Sequence, residues 1–187
     1  MEQQFARLLI RCNDKWRISS VNKNFEVCSS YPQMVIVPKG IGDDFLRISA
    51  TFRDGGRFPV LCYYHHETKS CIVRCSQPLI GPTNRRCKED ETIINSLLSR
   101  SKGVIFDTRS KLASQSSKGK GGGSETQLFI PSGNILAELC NENGHSNWLG
   151  KLASCGCCNI SLIQLLVLGL SLNAFIVQAK VVEKYLS

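Results

Sequence analysis

Apolar and polar residues alternate most clearly in segment 57–64. Every second position there is apolar, and the residues that share this face are Phe58, Val60, Cys62 and Tyr64. A period of two is typical of a strand with one buried face. The polar residues 66–69 separate this segment from a second apolar run, Ser70–Arg74. The pattern therefore predicts a β-hairpin.

A helical period follows the hairpin. Segment Lys88–Arg100 has acidic residues at 89–91, which favour a helix N-terminus, and its apolar residues recur at helical spacing. These apolar residues are Ile93, Ile94, Leu97 and Leu98. Val104–Phe106 then predicts a buried strand. Upstream, Met34–Val37 predicts a short extended run and Asp43–Ile48 a turn of helix. A hairpin, a helix and a strand in this order predict an α/β sheet covered by helices.

The composition changes after residue 109. Segment Ser110–Thr126 is rich in Ser, Gly and Lys, which predicts a flexible, solvated loop. Its glycines lack the spacing of a phosphate-binding P-loop. Farther along, Ile160–Val177 carries no charge, and as a helix it would span roughly 27 Å. Because polar residues dilute this run, it predicts an apolar helix that is a marginal transmembrane candidate.

Composition and charge narrow the class of protein. The chain has 187 residues, 42% hydrophobic and 20% charged, as is ordinary for a globular domain. A net charge of +8 favours acidic partners, but no basic run is interleaved with aromatics, so no nucleic-acid partner is predicted. Six of the ten cysteines, up to Cys87, stand singly within or beside predicted elements. Free thiols and a cytoplasmic location fit this usage.

Several sequence blocks, in this order, resemble the early part of a myotubularin-type phosphatase domain. The blocks are Gly55–Leu61, Tyr64-His65, Ser76–Leu79, Arg86–Glu91 and Asp107–Arg109. The resemblance covers roughly Trp16 to Gly123 and is not expected beyond Glu125. Three blocks are most similar to a catalytically inactive subgroup of the family, and these are Gly55–Arg57, Asn84–Glu91 and Lys120–Gly123.

The resemblance implies a fold class and a division of the chain. The fold expected is a truncated cysteine-phosphatase-like α/β sheet with an opening hairpin and a flanking helix, followed by a divergent apolar helix. The segments expected are a lead-in over 1–15, a partial phosphatase domain over 16–110, a flexible loop over 111–126 and a tail over 127–187, with its helix at about 160–178. A sheet cut off before its central strand would leave an unpaired edge, which predicts marginal stability or aggregation.

The chemistry that the family requires is absent from these 187 residues. Myotubularin-type enzymes use a thiolate in a Cys-x5-Arg loop, where backbone N–H groups and the arginine hold the phosphate. None of the ten cysteines has an arginine six positions later. We therefore expect no catalytic residue, no cofactor and no enzymatic activity.

Other candidate sites have simpler structural readings. His65-His66 lies at a solvated hairpin tip without a nearby nucleophile. The set Cys140, His145, Cys155 and Cys158 has zinc-ligand types but not the spacing of a common zinc finger, and the cysteines 155–158 could instead be lipidated. Arg85, Arg86 and Lys88 could contact phosphates, although pairing with Glu89–Glu91 is favoured. Asp107 and Arg109 are interpreted as a structural ion pair. No metal site is predicted.

Three functions remain open at this point. The favoured hypothesis is a non-catalytic piece of an inactive regulatory relative, whose partners would be active myotubularins and phosphoinositide membranes. An alternative is a membrane-anchored cytosolic adaptor, in which Ile160–Val177 supplies the anchor. A further alternative is part of an active phosphatidylinositol-3-phosphate phosphatase. The tail from Thr126 onward could also derive from an alternative exon with no selected role.

Overall fold

The computed structural model describes residues 15–65, 70–98, 103–107, 109, 111–125, 137–139 and 164–168. They form seven strands and three α-helices. In chain order these are β1 (Trp16–Ser19), β2 (Val35–Pro38), α1 (Asp43–Phe52), β3 (Val60–His65), β4 (Ser70–Cys75), α2 (Lys88–Leu98), β5 (Gly103–Asp107), α3 (Lys111–Gly119), β6 (Ala137–Leu139) and β7 (Gln164–Leu168). Strands β1 and β2 pair antiparallel as a separate two-stranded sheet.

The predicted hairpin is confirmed, with one correction to its buried face. Strands β3 and β4 pair antiparallel, but the register shifts between Leu61 and Tyr63. This bulge gives β3 one extra residue and breaks the period of two. Leu61 is therefore buried, whereas Cys62 is exposed. The prediction that Cys62 lies on the buried face is wrong.

The main sheet has five strands in the order β3-β4-β7-β5-β6. Strand β7 is antiparallel to both of its neighbours, and β6 is parallel to β5. The prediction of an apolar helix over about 160–178 is wrong for Gln164–Leu168, because these residues hydrogen-bond as a strand between β4 and β5. The rest of that segment lies outside the described residues. The sequence predicts an unpaired edge where the sheet is cut off before its central strand, but β4 and β5 both pair with β7.

Two helices lie where the sequence places them. Helix α1 extends the predicted helical turn to ten residues, and α2 confirms the predicted helix up to Leu98. The two helices pack against each other. Ile93, Ile94 and Leu97 are buried in the principal core, as their spacing predicts. Among the residues that the structure describes, no helix is long and apolar enough to cross a membrane.

Helix α3 replaces the first part of the predicted flexible loop. That prediction is wrong for Lys111–Gly119, which are helical. The helix ends in a Schellman motif: Gly122 N–H donates to Ser117 O (2.9 Å) and Gly121 N–H donates to Lys118 O (3.2 Å). Gly121 has a φ of +93°, which glycine adopts without a Cβ penalty. The Gly-rich stretch is thus a helix stop rather than a linker.

Candidate functional site

The most concentrated polar chemistry in the structure surrounds Arg53, the residue that follows α1. Its side chain is fully buried. Nε donates to Asp90 Oδ1 (2.8 Å) and Nη2 donates to Asp90 Oδ2 (2.5 Å), so the pair is bidentate. Nη1 donates to Ser76 O (2.9 Å) and to Glu125 Oε1 (2.5 Å). Arg53 therefore ties α1 to α2, to the end of β4 and to the turn after α3.

A second buried arginine, Arg109, lies just after β5. It forms a bidentate pair with Asp107, with Nε donating to Oδ1 over 2.8 Å. Nη1 donates to Gln77 Oε1 (2.5 Å) and Nη2 donates to Gly123 O (2.9 Å). The interpretation of Asp107 and Arg109 as a structural ion pair is confirmed.

Gln77 connects the Arg109 cluster to the backbone beside Arg53. Its Oε1 accepts from Arg109, and its backbone O accepts from Asp54 N–H (3.1 Å). A Cβ on Gly122 would lie 2.4 Å from Gln77 Oε1. The turn after α3 approaches this amide closely only because residue 122 is glycine. The arginine clusters and this turn thus form one buried polar network.

The network carries an excess of negative charge. Its two arginines face three carboxylates, those of Asp90, Asp107 and Glu125. Burial raises the pKa of Glu125; Arg53 opposes this effect, and the neighbouring Asp90 and Asp107 add to it. Burial would lower the pKa of Arg53, but Asp90 and Glu125 hold it well above its ordinary value. Glu125 is therefore the member whose ionisation the fold opposes.

Cys75 lies beside this network, and its surroundings favour the protonated thiol. Its Sγ lies 3.7 Å from Arg53 Nη1. Burial raises the pKa of Cys75 to about 12, although Arg53 acts in the opposite direction. The thiol is protonated at neutral pH, and nucleophilic catalysis requires the thiolate.

The other predicted residues fall into three groups. The local pairing expected for Arg86 is confirmed: its guanidinium binds Glu91 through two hydrogen bonds of 2.9 and 2.8 Å. Arg85 instead lies over the Phe52 ring and donates to Thr51 O (3.3 Å).

His66 and the proposed zinc and lipidation cysteines lie outside the described residues. Within the described residues, no three potential metal ligands come together. Cys28, Cys62, Cys71, Cys75 and Cys87 are not in disulfide bonds, as predicted.

Sequence reasoning missed Arg53, Gln77 and Glu125. The available signal was weak: Arg53 directly follows an apolar helical run, and Glu125 follows a Gly-rich turn. The partners of Arg53 lie 37 and 72 residues away along the chain. Local sequence patterns do not predict ion pairs between residues that are so far apart along the chain.

A second feature is a cleft of about 200 Å³ beside the hairpin. It is lined by residues that include Tyr31, Met34, Cys62 and Arg74. The Arg74 guanidinium lies 5.5 Å from the centre of the Tyr31 ring, and Tyr31 Oη donates to Phe58 O (3.1 Å). In both places, the polar side chains described above contact other groups of the same chain.

Comparison with known proteins identifies the class to which this fold belongs. Residues 1–160 match the family model of the myotubularin-like phosphatase domain. The chain belongs to this family.

Individual relatives agree with this assignment. The chain is 65% identical to myotubularin-related protein 9 of Caenorhabditis elegans, over 68% of the chain and 22% of that protein. It is 45% identical to myotubularin-related protein 9 of Homo sapiens, over 81% of the chain and 31% of the relative. It is also 39% identical, over 62% of the chain and 18% of the relative, to phosphatidylinositol-3,5-bisphosphate 3-phosphatase MTMR2 of Mus musculus.

These comparisons also set the extent of the similarity. The chain spans about a fifth to a third of the length of the relatives named. The expectation that resemblance ends near Gly123 is wrong, because the family match continues to residue 160 and also includes residues 1–15. The expectation rested on motif blocks, and no distinctive block lies in the less patterned stretch after Glu125.

The Arg53–Asp90 pair makes a direct prediction about stability. Asp90→Asn leaves a buried guanidinium with one carboxylate partner, and breaking a buried pair costs about 3–5 kcal/mol. The matched control is Asp44→Asn, which removes an exposed partner of Arg47 at 3.2 Å and is expected to cost under about 0.5 kcal/mol. Urea unfolding measures both values, and equal losses would show that the buried pair has no special role.

Glu125 predicts a pH effect of unusual sign. Because its pKa is raised in the fold, the folded state binds a proton more readily than the unfolded chain. Its contribution is fully present below the ordinary value near 4.5 and is lost as the pH rises through the raised pKa. As the pH rises from 4.5 to neutrality, the free energy of unfolding of the Glu125→Gln variant is therefore expected to fall less than that of the wild type. Parallel curves of unfolding free energy against pH for the two proteins would contradict this assignment.

Proposed function

We propose that this chain is a non-catalytic segment of a myotubularin-type domain that regulates catalytically active members of the family by binding them. The observation that carries this proposal is that none of the ten cysteines is followed by arginine at the sixth position. The buried carboxylates and arginines support it, because they are engaged with one another rather than available to a substrate. The similarity to myotubularin-related protein 9 supports it further.

The geometry of the network explains why these charges serve the fold. A catalytic arginine needs free donors facing a phosphate. Arg53 and Arg109 instead direct their donors at carboxylates, carbonyls and an amide of the same chain. Both side chains lie beneath the surface. A phosphorylated lipid would have to displace a bidentate carboxylate to reach either guanidinium.

A second function is favoured by one specific similarity. The mouse relative at 39% identity is named for 3-phosphatase activity on phosphatidylinositol 3,5-bisphosphate. The alternative is therefore that this segment belongs to an active phosphoinositide phosphatase. We also propose a cytoplasmic location, supported by five cysteines of the described region that are not in disulfide bonds. Contact with phosphoinositide membranes is proposed as well, supported by the net charge of +8.

The absence of catalysis is tested by phosphate release from phosphatidylinositol 3-phosphate and its 3,5-bisphosphate. The purified chain is expected to release no more phosphate than buffer, because no Cys-x5-Arg sequence in these 187 residues supplies the thiolate and the phosphate-binding arginine. An active myotubularin relative is the positive control. If the chain does release phosphate, and if replacing a single cysteine by serine abolishes this release, the chain is an active phosphatase and the proposal of a non-catalytic segment is wrong.

Binding to an active relative is tested by co-precipitation from a mixture of purified proteins. The chain is expected to be retained by a tagged, catalytically active myotubularin and not by the tag alone. A cysteine-dependent tyrosine phosphatase from outside the family serves as a specificity control. Equal retention by both phosphatases, or retention by neither, would reject the regulatory role without bearing on the fold.

A further inference from the structure

The central strand of the main sheet has an unusual origin. Strand β7 lies between β4 and β5 and pairs with both along its whole length. It begins at Gln164, whereas the match to the family model ends at residue 160. Every other strand lies within the matched residues. The middle of this family sheet is thus completed by a segment outside the family match.

The space that β7 occupies has the dimensions and chemistry of a slot for one strand. Neighbouring strands lie about 4.8 Å apart, so β4 and β5 are separated by the width of a single strand. Without β7, each would present a row of unpaired backbone N–H and C=O groups, which is a template for pairing with another chain. The two strands that flank β7 contribute buried residues to the core. Cys71, Val73 and Cys75 come from β4, and Ile105 comes from β5.

The pairing pattern specifies what the slot accepts. Five residues of β7 are in register with Cys71–Cys75 on one side and with Gly103–Asp107 on the other, antiparallel in both cases. The sequence of β7, Gln-Leu-Leu-Val-Leu, carries no charge. The slot between β4 and β5 is therefore expected to accept an extended, uncharged segment that is rich in leucine and valine. Antiparallel pairing with both neighbours fixes the direction of this segment.

The connection to β7 is long. Residues 140–163 separate it from the end of β6, and a chain of that length can extend to about 80 Å. A tight turn therefore does not dictate where β7 lies, and the pairing with β4 and β5 does. A segment held by pairing rather than by its tether can be supplied as a separate molecule, although the tether raises its effective concentration.

We propose that the gap between β4 and β5 is a strand-acceptor site, and that Gln164–Leu168 is its intramolecular ligand. Main-chain hydrogen bonds on both sides provide affinity, and the uncharged, apolar sequence of the strand provides selectivity. The site binds the same sequence supplied in trans when the tether is cut. Recognition is thus strand addition into the middle of a sheet.

The test uses the full chain with a protease site inserted after Gly150, so that the tail can be cut from the folded protein. After cleavage, the fragment that contains Gln164–Leu168 is expected to stay bound through gel filtration. A labelled peptide of residues 160–172, with two added lysines for solubility, is expected to exchange into the site. The same peptide with Leu166→Pro should bind at least about tenfold more weakly, since proline removes a ladder N–H at the residue opposite Val73 and Ile105.

Hydrogen exchange provides a second readout on the same samples. Amides of β4 and β5 are expected to exchange faster when the cut fragment is removed, and to regain protection with the wild-type peptide alone. The proposal is overturned if the fragment separates on cleavage with no change in exchange of β4 and β5. It is equally overturned if the proline peptide restores protection as well as the wild-type peptide does.

Discussion

The buried guanidinium of Arg53 is the interaction on which the rest of the structure depends. It contacts Asp90 of α2, the backbone that follows β4 and the Glu125 carboxylate after α3. These parts are far apart in sequence and are brought together by one planar group with five donors. A buried arginine is costly to desolvate, so its partners must all be in place for the fold to tolerate it. The position of α2 and that of the Gly-rich turn are in this way set together.

Arg109 repeats the same arrangement at the end of β5. It pairs with a carboxylate two residues away and then reaches the amide of Gln77 and the carbonyl of Gly123. Because both arginines contact the 123–125 turn, α3 cannot behave as a loose connection. The Lys-Gly-Gly-Gly sequence ends the helix, permits close approach to Gln77 and delivers Glu125 to Arg53. One short stretch performs all three tasks.

The sequence predicts those features whose cause is local. The hairpin, helix α2 and strand β5 follow from periodicity and turn residues, and the Arg86–Glu91 pair follows from spacing. The network around Arg53 was not predictable, because its partners are set by tertiary contact. Helix α3 was missed because its composition is polar and Ser114 is its one residue that the structure shows to be buried. Segment 164–168 has an apolar pattern that suits a helix or a strand equally, and pairing with β4 and β5 decides between them.

The interactions that stabilise the fold are distinct from those that would give the chain a function. The two arginines of the buried network direct their donors at groups of the same chain, so the network specifies an arrangement of elements. Family membership defines a fold, and function must come from a site on it. In this chain the sheet is completed by a strand from outside the matched region. Pairing of β7 with β4 on one side and β5 on the other therefore joins the hairpin to the strand that carries Asp107 and Arg109 at its end.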